Sequence, residues 1–154
     1  MSTLTPPIPV VLVGIHTEIG GPVAEGLRPD FDVIRFVQTF SAAQSDLPYL
    51  LRGEAPPPEA PPTNSVGSAD YSRGPARAVL FGRGFSQRQA EELYDANKKT
   101  EEETVVWIAG EESKRPTDFE NPPPGTDKVM VPLFKGLLEK WVKEGEGKGG
   151  LVLY

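Results

Sequence analysis

The amino-acid sequence predicts an α/β fold: a three-layer sandwich with a four- to five-stranded, mostly parallel sheet. Three observations carry that expectation. Short unbroken apolar runs recur along the chain, as strands buried on both faces require. Helical segments with their own start signals fall between those runs, and strands alternating with helices build a parallel sheet with right-handed crossovers. At 154 residues the chain has room for one core, burying roughly 70% of the surface its unfolded form exposes, and not for two.

The first strand is Val10-Val11-Leu12-Val13-Gly14. A loop from Ile15 to Gly21 follows, and Pro22 suits the first turn of a helix. Val23 and Leu27 share one face of that helix, which Pro29 stops after Arg28. Residues 32–38 are β-branched and aromatic, hence a second strand, and the chain turns at Thr39-Phe40. Ser41 with Gln44 reads as a capping box opening a second helix. Pro48 ends or kinks it, and Tyr49-Leu50-Leu51 packs its last turn before Gly53.

Residues 54–75 are rich in Pro, Ala, Ser and Gly. So few large apolar side chains cannot offset the entropy of ordering them, and the stretch reads as a mobile loop, a linker or a lid. Ala76 to Gly82 repeats the pattern of the first strand, and Ser86 with Gln89 caps a helix running to about Asn97. Thr104 to Ile108 is the fourth strand, followed by a polar, proline-rich loop to about Thr126. Leu133, Phe134, Leu137, Leu138, Trp141 and Val142 then share one helical face. Residues 128–131, just before Pro132, read either as a fifth strand or as the start of this helix. One domain spans residues 1–150, and Leu151 to Tyr154 form an apolar C-terminal tail able to add a strand to a neighbour.

Composition narrows the function classes. The net charge is −6 and no stripe of Lys and Arg interrupts it, so the electrostatic footprint of a nucleic-acid binder is missing. No run approaches the roughly 18 apolar residues of a membrane-spanning helix, and residues 1–13 lack a signal-peptide pattern. There is no cysteine, which excludes disulfide and thiolate chemistry and suits a cytoplasmic protein. One histidine, no cysteine and no acidic cluster at ligand spacing predict no metal site.

The loop after the first strand reads Gly14-Ile15-His16-Thr17-Glu18-Ile19-Gly20-Gly21-Pro22-Val23. It resembles the opening of extended and atypical short-chain dehydrogenase/reductases, NmrA-like proteins included, whose pattern is G-A-T-G-x-I-G-x-x-V. Gly14, Ile19, Gly20 and Val23 match in place, His16 stands at the threonine and Thr17 at the middle glycine. The resemblance implies a Rossmann-like fold that binds NAD(P). Gly82-x-Gly84-Phe85-Ser86 and the Trp107 strand also look similar to small, uncharacterised fungal NAD(P)-binding-like proteins, a likeness that implies a fold and no activity.

Two residues depart from the dinucleotide pattern. The middle glycine lets pyrophosphate approach the backbone, and Thr17 adds atoms there. Family members also carry an acid, or a nearby arginine, at the end of the second strand for the ribose. This chain has Gln38-Thr39-Phe40. NAD(P) is therefore disfavoured and no cofactor is expected. Tyr94 and Lys98 match the Y-x-x-x-K catalytic pair of the same superfamily, but on the helix after the third strand, too early for the family order.

Ligands of such folds bind outside the carboxyl ends of the strands. Gly14, Ile15, Thr17, Glu18, Gly20 and Gly21 of the first loop are thus candidate ligand contacts, with Gln38, Gly82 and Gly84. His16, one residue past the first strand's end, is a candidate acid/base because histidine is the residue type that exchanges protons near neutrality. Arg83, a cation between two glycines, is suited to hold a carboxylate, a phosphate or an oxyanion. Glu111 and Glu112 follow the fourth strand and would suit a general base, though adjacent loop acids are usually solvated. Ser86 follows a strand, but its capping role explains it better than a nucleophile's.

Three functional readings follow. The first is a reduced Rossmann-type module that binds a small organic or anionic ligand, dinucleotide binding having degenerated. The second is a small cofactor-independent enzyme, an isomerase, cyclase or lyase, with His16 as acid/base. The third is a structural protein that forms a homodimer.

Overall fold

A computed structural model of the chain describes residues 5–57, 64–97, 105–116, 121–144 and 149–154. Among these residues five strands, β1 (Ile8–Val13), β2 (Phe31–Val37), β3 (Ala78–Phe81), β4 (Val106–Ala109) and β5 (Gly150–Leu153), form one sheet. Every pairing is parallel and the order is β2-β1-β3-β4-β5. The helices are α1 (Thr17–Leu27), α2 (Phe40–Leu51), α3 (Gln87–Asn97) and α4 (Thr126–Glu144). On one face α1 and α4 pack together over Val10, Leu12, Val33 and Phe36; on the other α2 and α3 cover Val11, Val13, Val79 and Trp107. The fold is the expected α/β three-layer sandwich.

Several boundaries differ from the sequence reading, each for a local reason. The helix expected to open at Pro22 begins at Thr17, because Ile19 and Gly20 N–H already bond the His16 carbonyl. Pro22 therefore sits inside α1, with its ring exposed to solvent. Thr39 caps α2 in place of Ser41, its hydroxyl accepting from Ala42 N–H at 3.1 Å, and α2 continues through Pro48 to Leu51. The capping box of α3 is present, with Ser86 Oγ accepting from Gln89 N–H and Gln89 Oε1 accepting from Ser86 N–H.

Residues 128–131 belong to α4 and are no strand. Met130, Phe134, Leu138 and Trp141 are buried at helical spacing, and that periodicity overrides Pro132, whose ring faces solvent. The fifth strand is instead the C-terminal tail. Leu151 to Leu153 with Gly150 pair with β4 of the same chain, so the tail is the sheet's own edge strand.

The second half of the proline-rich stretch has a definite place; residues 58–63 of it lie outside the described residues. Ser68 and Ala69 N–H bond the Val33 and Ile34 carbonyls at 2.9 and 3.0 Å, and Asn64 Nδ2 bonds the Phe36 carbonyl at 2.9 Å. These bonds cap the open edge of β2, which would otherwise offer unpaired groups to another chain. Gly67, at φ +101°, crosses so close that a Cβ would stand 3.1 Å from Arg35 N and Cα. Beneath it β2 bulges: Val10 faces Val33, but Val11 faces Arg35, leaving Ile34 extra. Arg35 reaches Asp46 of α2 across the bulge, Nε to Oδ2 at 2.8 Å, with both side chains buried. Among the described residues no strand lies outside β2, where a full Rossmann sheet in the order 3-2-1-4-5-6 has its third strand. The strap formed by residues 64–69 stands there instead.

Candidate functional site

The strand order reverses at β1, whose neighbours β2 and β3 are reached by helices on opposite faces. Beyond the carboxyl ends of β1 and β3 such a reversal opens a crevice. A cavity of about 380 Å³ occupies that position. Leu12 and Phe36 come from the sheet, Ile19, Gly20 and Val23 from α1, and Met130, Leu133 and Phe134 from α4. Gly14, Ile15 and His16 line it from the first loop, Gly82, Arg83 and Gly84 from the third. Lys114, Pro116, Pro122 and Pro123 close the remaining side.

Seven of the residues expected at the site therefore meet at one cavity, and the two glycine loops are in contact there. A Cβ on Gly84 would stand 2.6 Å from Ile15 Cγ1, so glycine is what lets the Ile15 side chain lie on the third loop. His16 and Arg83 flank this contact. Gly20 has the packing role its place in the fingerprint implies: a Cβ would meet the Phe36 ring at 2.7 Å.

Thr17, Glu18, Gly21 and Gln38 are not among the lining residues. Thr17 and Glu18 are exposed in the first turn of α1, Glu18 Oε1 lying 3.3 Å from His16 Nδ1. Gln38 Nε2 donates to the Ile15 carbonyl at 3.1 Å and its Oε1 accepts from Asn64 at 3.0 Å. Its amide ties the first loop to the strap. Glu111 and Glu112 are turned to other work. Glu112 Oε1 accepts from Gln87 N–H at the start of α3, and Glu111 bonds Ser113 and Lys114. Tyr94 packs edge-on against Trp107 on the α2/α3 side, away from the cavity, and Lys98 lies outside the described residues.

Arg83 is the centre of the site's electrostatics. Its guanidinium lies over the Tyr154 ring, 4.4 Å from the centroid, with Nη1 fully buried against Gly110. The side chain makes no hydrogen bond or ion pair among the described residues. The Tyr154 hydroxyl is spent on the Phe81 carbonyl at 2.6 Å, and burial pushes its phenol above the ordinary value, the Arg83 charge opposing that shift. Arg115 holds the loop from behind, donating Nε to the Arg83 carbonyl and Nη2 to the Gly84 carbonyl, both at 3.1 Å.

Sequence reasoning missed Arg115, Tyr154 and the α4 wall. Arg115 sits in a polar loop with no spacing to single it out. Tyr154 becomes visible only once the tail is recognised as β5, which brings it beside β3's exit across β4. Among the described residues no group of three or more His, Cys, Asp or Glu stands together as metal ligands, and no helix is long and apolar enough to cross a membrane.

The fold and site define a doubly wound α/β protein with a largely apolar cavity and, at its switch point, an arginine that makes no hydrogen bond or ion pair among the described residues. Among known proteins, the chain is similar to "Kojic acid related protein 6" of Aspergillus oryzae (strain ATCC 42149 / RIB 40). The two are 28% identical over 140 residues, which is 90% of this chain and 80% of that protein. No protein-family model and no solved structure matches.

Proposed function

We propose that the chain binds a small organic anion with an apolar body, the anion on Arg83 and the body between α1 and α4. The observation that carries this is the Arg83 guanidinium, held on Tyr154 with no hydrogen bond or ion pair among the described residues. Arg83 is half-buried with its Nη1 cut off from water, and a bound carboxylate would supply two charge-assisted bonds to its other N–H groups. The walls are otherwise largely apolar, with His16, Lys114 and Thr126 the other polar side chains that line them. Size points the same way: a cavity of about 150 Å³ holds benzene, so about 380 Å³ suits one or two rings.

A dinucleotide fits these residues poorly. The Gln38 amide, at the ribose position, is engaged by Ile15 and Asn64, and the cavity is at the small end of the range for ligand sites. We therefore favour a reduced Rossmann-like module over a hydride-transfer enzyme. The name of the fungal relative makes kojic acid, a single oxygen-containing ring, one probe worth including.

The test is a calorimetric titration with benzoate, phenylpyruvate, cinnamate, kojic acid, NADH and NADPH, repeated on Arg83→Met. Binding of a ring carboxylate in the micromolar to low millimolar range, weakened at least tenfold by Arg83→Met, is expected. Binding indifferent to Arg83, or confined to the dinucleotides, would overturn the reading.

A further inference from the structure

Resting on that reading of the cavity, we infer that the same site moves a proton: it enolises a 2-oxo acid carrying an apolar ring at C3. His16 and Arg83 line one cavity from two loops that touch through Ile15 and Gly84. With Nη1 buried against Gly110, the Nε/Nη2 edge of the guanidinium is the fork left to present two parallel N–H groups. A 2-oxo acid offers that fork two oxygens in one plane, one from the carboxylate and the keto oxygen, with the acidic C3–H bond on the neighbouring carbon. The ring on C3 would occupy the space bounded by Ile19, Val23, Met130 and Phe134.

The His16 imidazole takes the C3 proton. The C–H electron pair becomes the C2=C3 bond, and the keto oxygen becomes an enolate oxygen, whose charge develops on the Arg83 guanidinium. Returning the proton to that oxygen gives the enol; returning it to C3 restores the keto acid. No oxidant, reductant or cofactor enters the balance. A base within reach of the proton and a preplaced cation at the developing charge are what such a reaction needs. Glu18, 3.3 Å from His16 Nδ1, acts as a positioning residue by directing Nδ1 outward and the opposite ring nitrogen to the substrate. The substitution at the fingerprint's threonine position is then what supplies the base.

Hydrogen exchange at C3 of phenylpyruvate in D2O, followed by NMR, tests this. Binding is read in the same samples by saturation transfer from protein to ligand. The unmodified protein is expected to accelerate exchange well above the buffer rate, and His16→Gln to lower it by about 10²-fold or more while binding persists. Since His16 caps α1 without a side-chain hydrogen bond, that variant removes no cap. Glu18→Gln, at an exposed position, is expected to lower kcat for exchange severalfold with KM unchanged. Phenylpyruvate binding with exchange at the buffer rate overturns the inference and leaves the proposed function standing. So does acceleration that survives His16→Gln, or failure of phenylpyruvate to bind while benzoate or cinnamate does. Failure of every ring carboxylate to bind overturns both.

Discussion

The guanidinium of Arg83 lies 4.4 Å from the centre of the Tyr154 ring, and the hydroxyl of that tyrosine bonds the Phe81 carbonyl two residues before Arg83. One side chain from the sheet's edge thus fixes both the end of β3 and the cation that follows it. The platform is apolar on its other side too, where Phe134 meets the Tyr154 ring edge-on at 5.7 Å. A cation on an aromatic face keeps its charge but gains no hydrogen bonds there. Nη1 is shut in against Gly110, and the N–H groups other than Nη1 are left for an incoming anion.

This arrangement predicts a specific alkaline instability. Burial raises the Tyr154 phenol above its ordinary value near 10, so the folded chain holds that proton more tightly than the unfolded chain. The associated stability is fully present below about pH 10 and is lost as pH rises beyond it, by at most about 1.4 kcal/mol per pH unit. Tyr154→Phe removes a buried hydrogen bond and should cost about 1 kcal/mol at pH 7, yet lose less on going to pH 11. Urea unfolding at both pH values checks this; parallel decline of the two proteins would contradict it.

Two adjacent glycines of α1 should respond in opposite directions. A Cβ at Gly20 would press on the buried Phe36 ring at 2.7 Å, whereas at Gly21 it meets nothing within 4 Å. Gly20→Ala should destabilise by about 1–3 kcal/mol through overpacking. Gly21→Ala should stabilise by up to about 1 kcal/mol, since alanine loses less backbone entropy in a helix. Thermal unfolding of the pair decides it, and a loss of stability at both positions would count against the packing described.

The glycine pair also shows where the sequence was informative. The β-α periodicity, the packing role of Gly20 and the convergence of the His16 and Arg83 loops follow from local signals, because apolar runs, caps and glycines act within a few residues. The start of α1 and the path through Pro48 and Pro132 do not. There the burial of Gly20 and Val23, of Leu50, and of Met130 and Phe134 outweighs a lost backbone hydrogen bond, and burial is a tertiary quantity. The strap on β2 and the pairing of β5 were invisible for the same reason, their partners lying far away in sequence. So was Arg115, whose role depends on two carbonyls about thirty positions earlier.

The buried pair under the strap gives a further prediction. Arg35 and Asp46 meet at 2.8 Å, both almost inaccessible, with Tyr71 accepting from Arg35 Nη1 at 3.3 Å. Asp46→Ala leaves a buried guanidinium without its carboxylate and should cost about 3–5 kcal/mol. Replacing both, as Arg35→Met with Asp46→Leu, should recover most of that loss, since the desolvation penalty disappears with the charges. Chemical denaturation of the three variants measures it, and a double variant as unstable as the single one would refute the account.

Arg115 offers the sharpest separation of support from contact. Its fork spans the Arg83 and Gly84 carbonyls and so holds the loop that presents the Arg83 side chain, while Arg115 itself does not line the cavity. Arg115→Met removes two charge-assisted bonds to carbonyls that are partly shielded from water, and should cost about 1–2 kcal/mol of stability. The same change frees the loop, so ring-carboxylate affinity should fall about tenfold, the equivalent of 1.4 kcal/mol. Lysine at this position should rescue little of either, because an ammonium lacks the planar fork that serves two acceptors at once. Calorimetry and thermal unfolding on the same samples give both numbers. Affinity unchanged beside reduced stability would mean that the loop keeps its shape unaided, and that Tyr154 and Gly110 alone place the guanidinium.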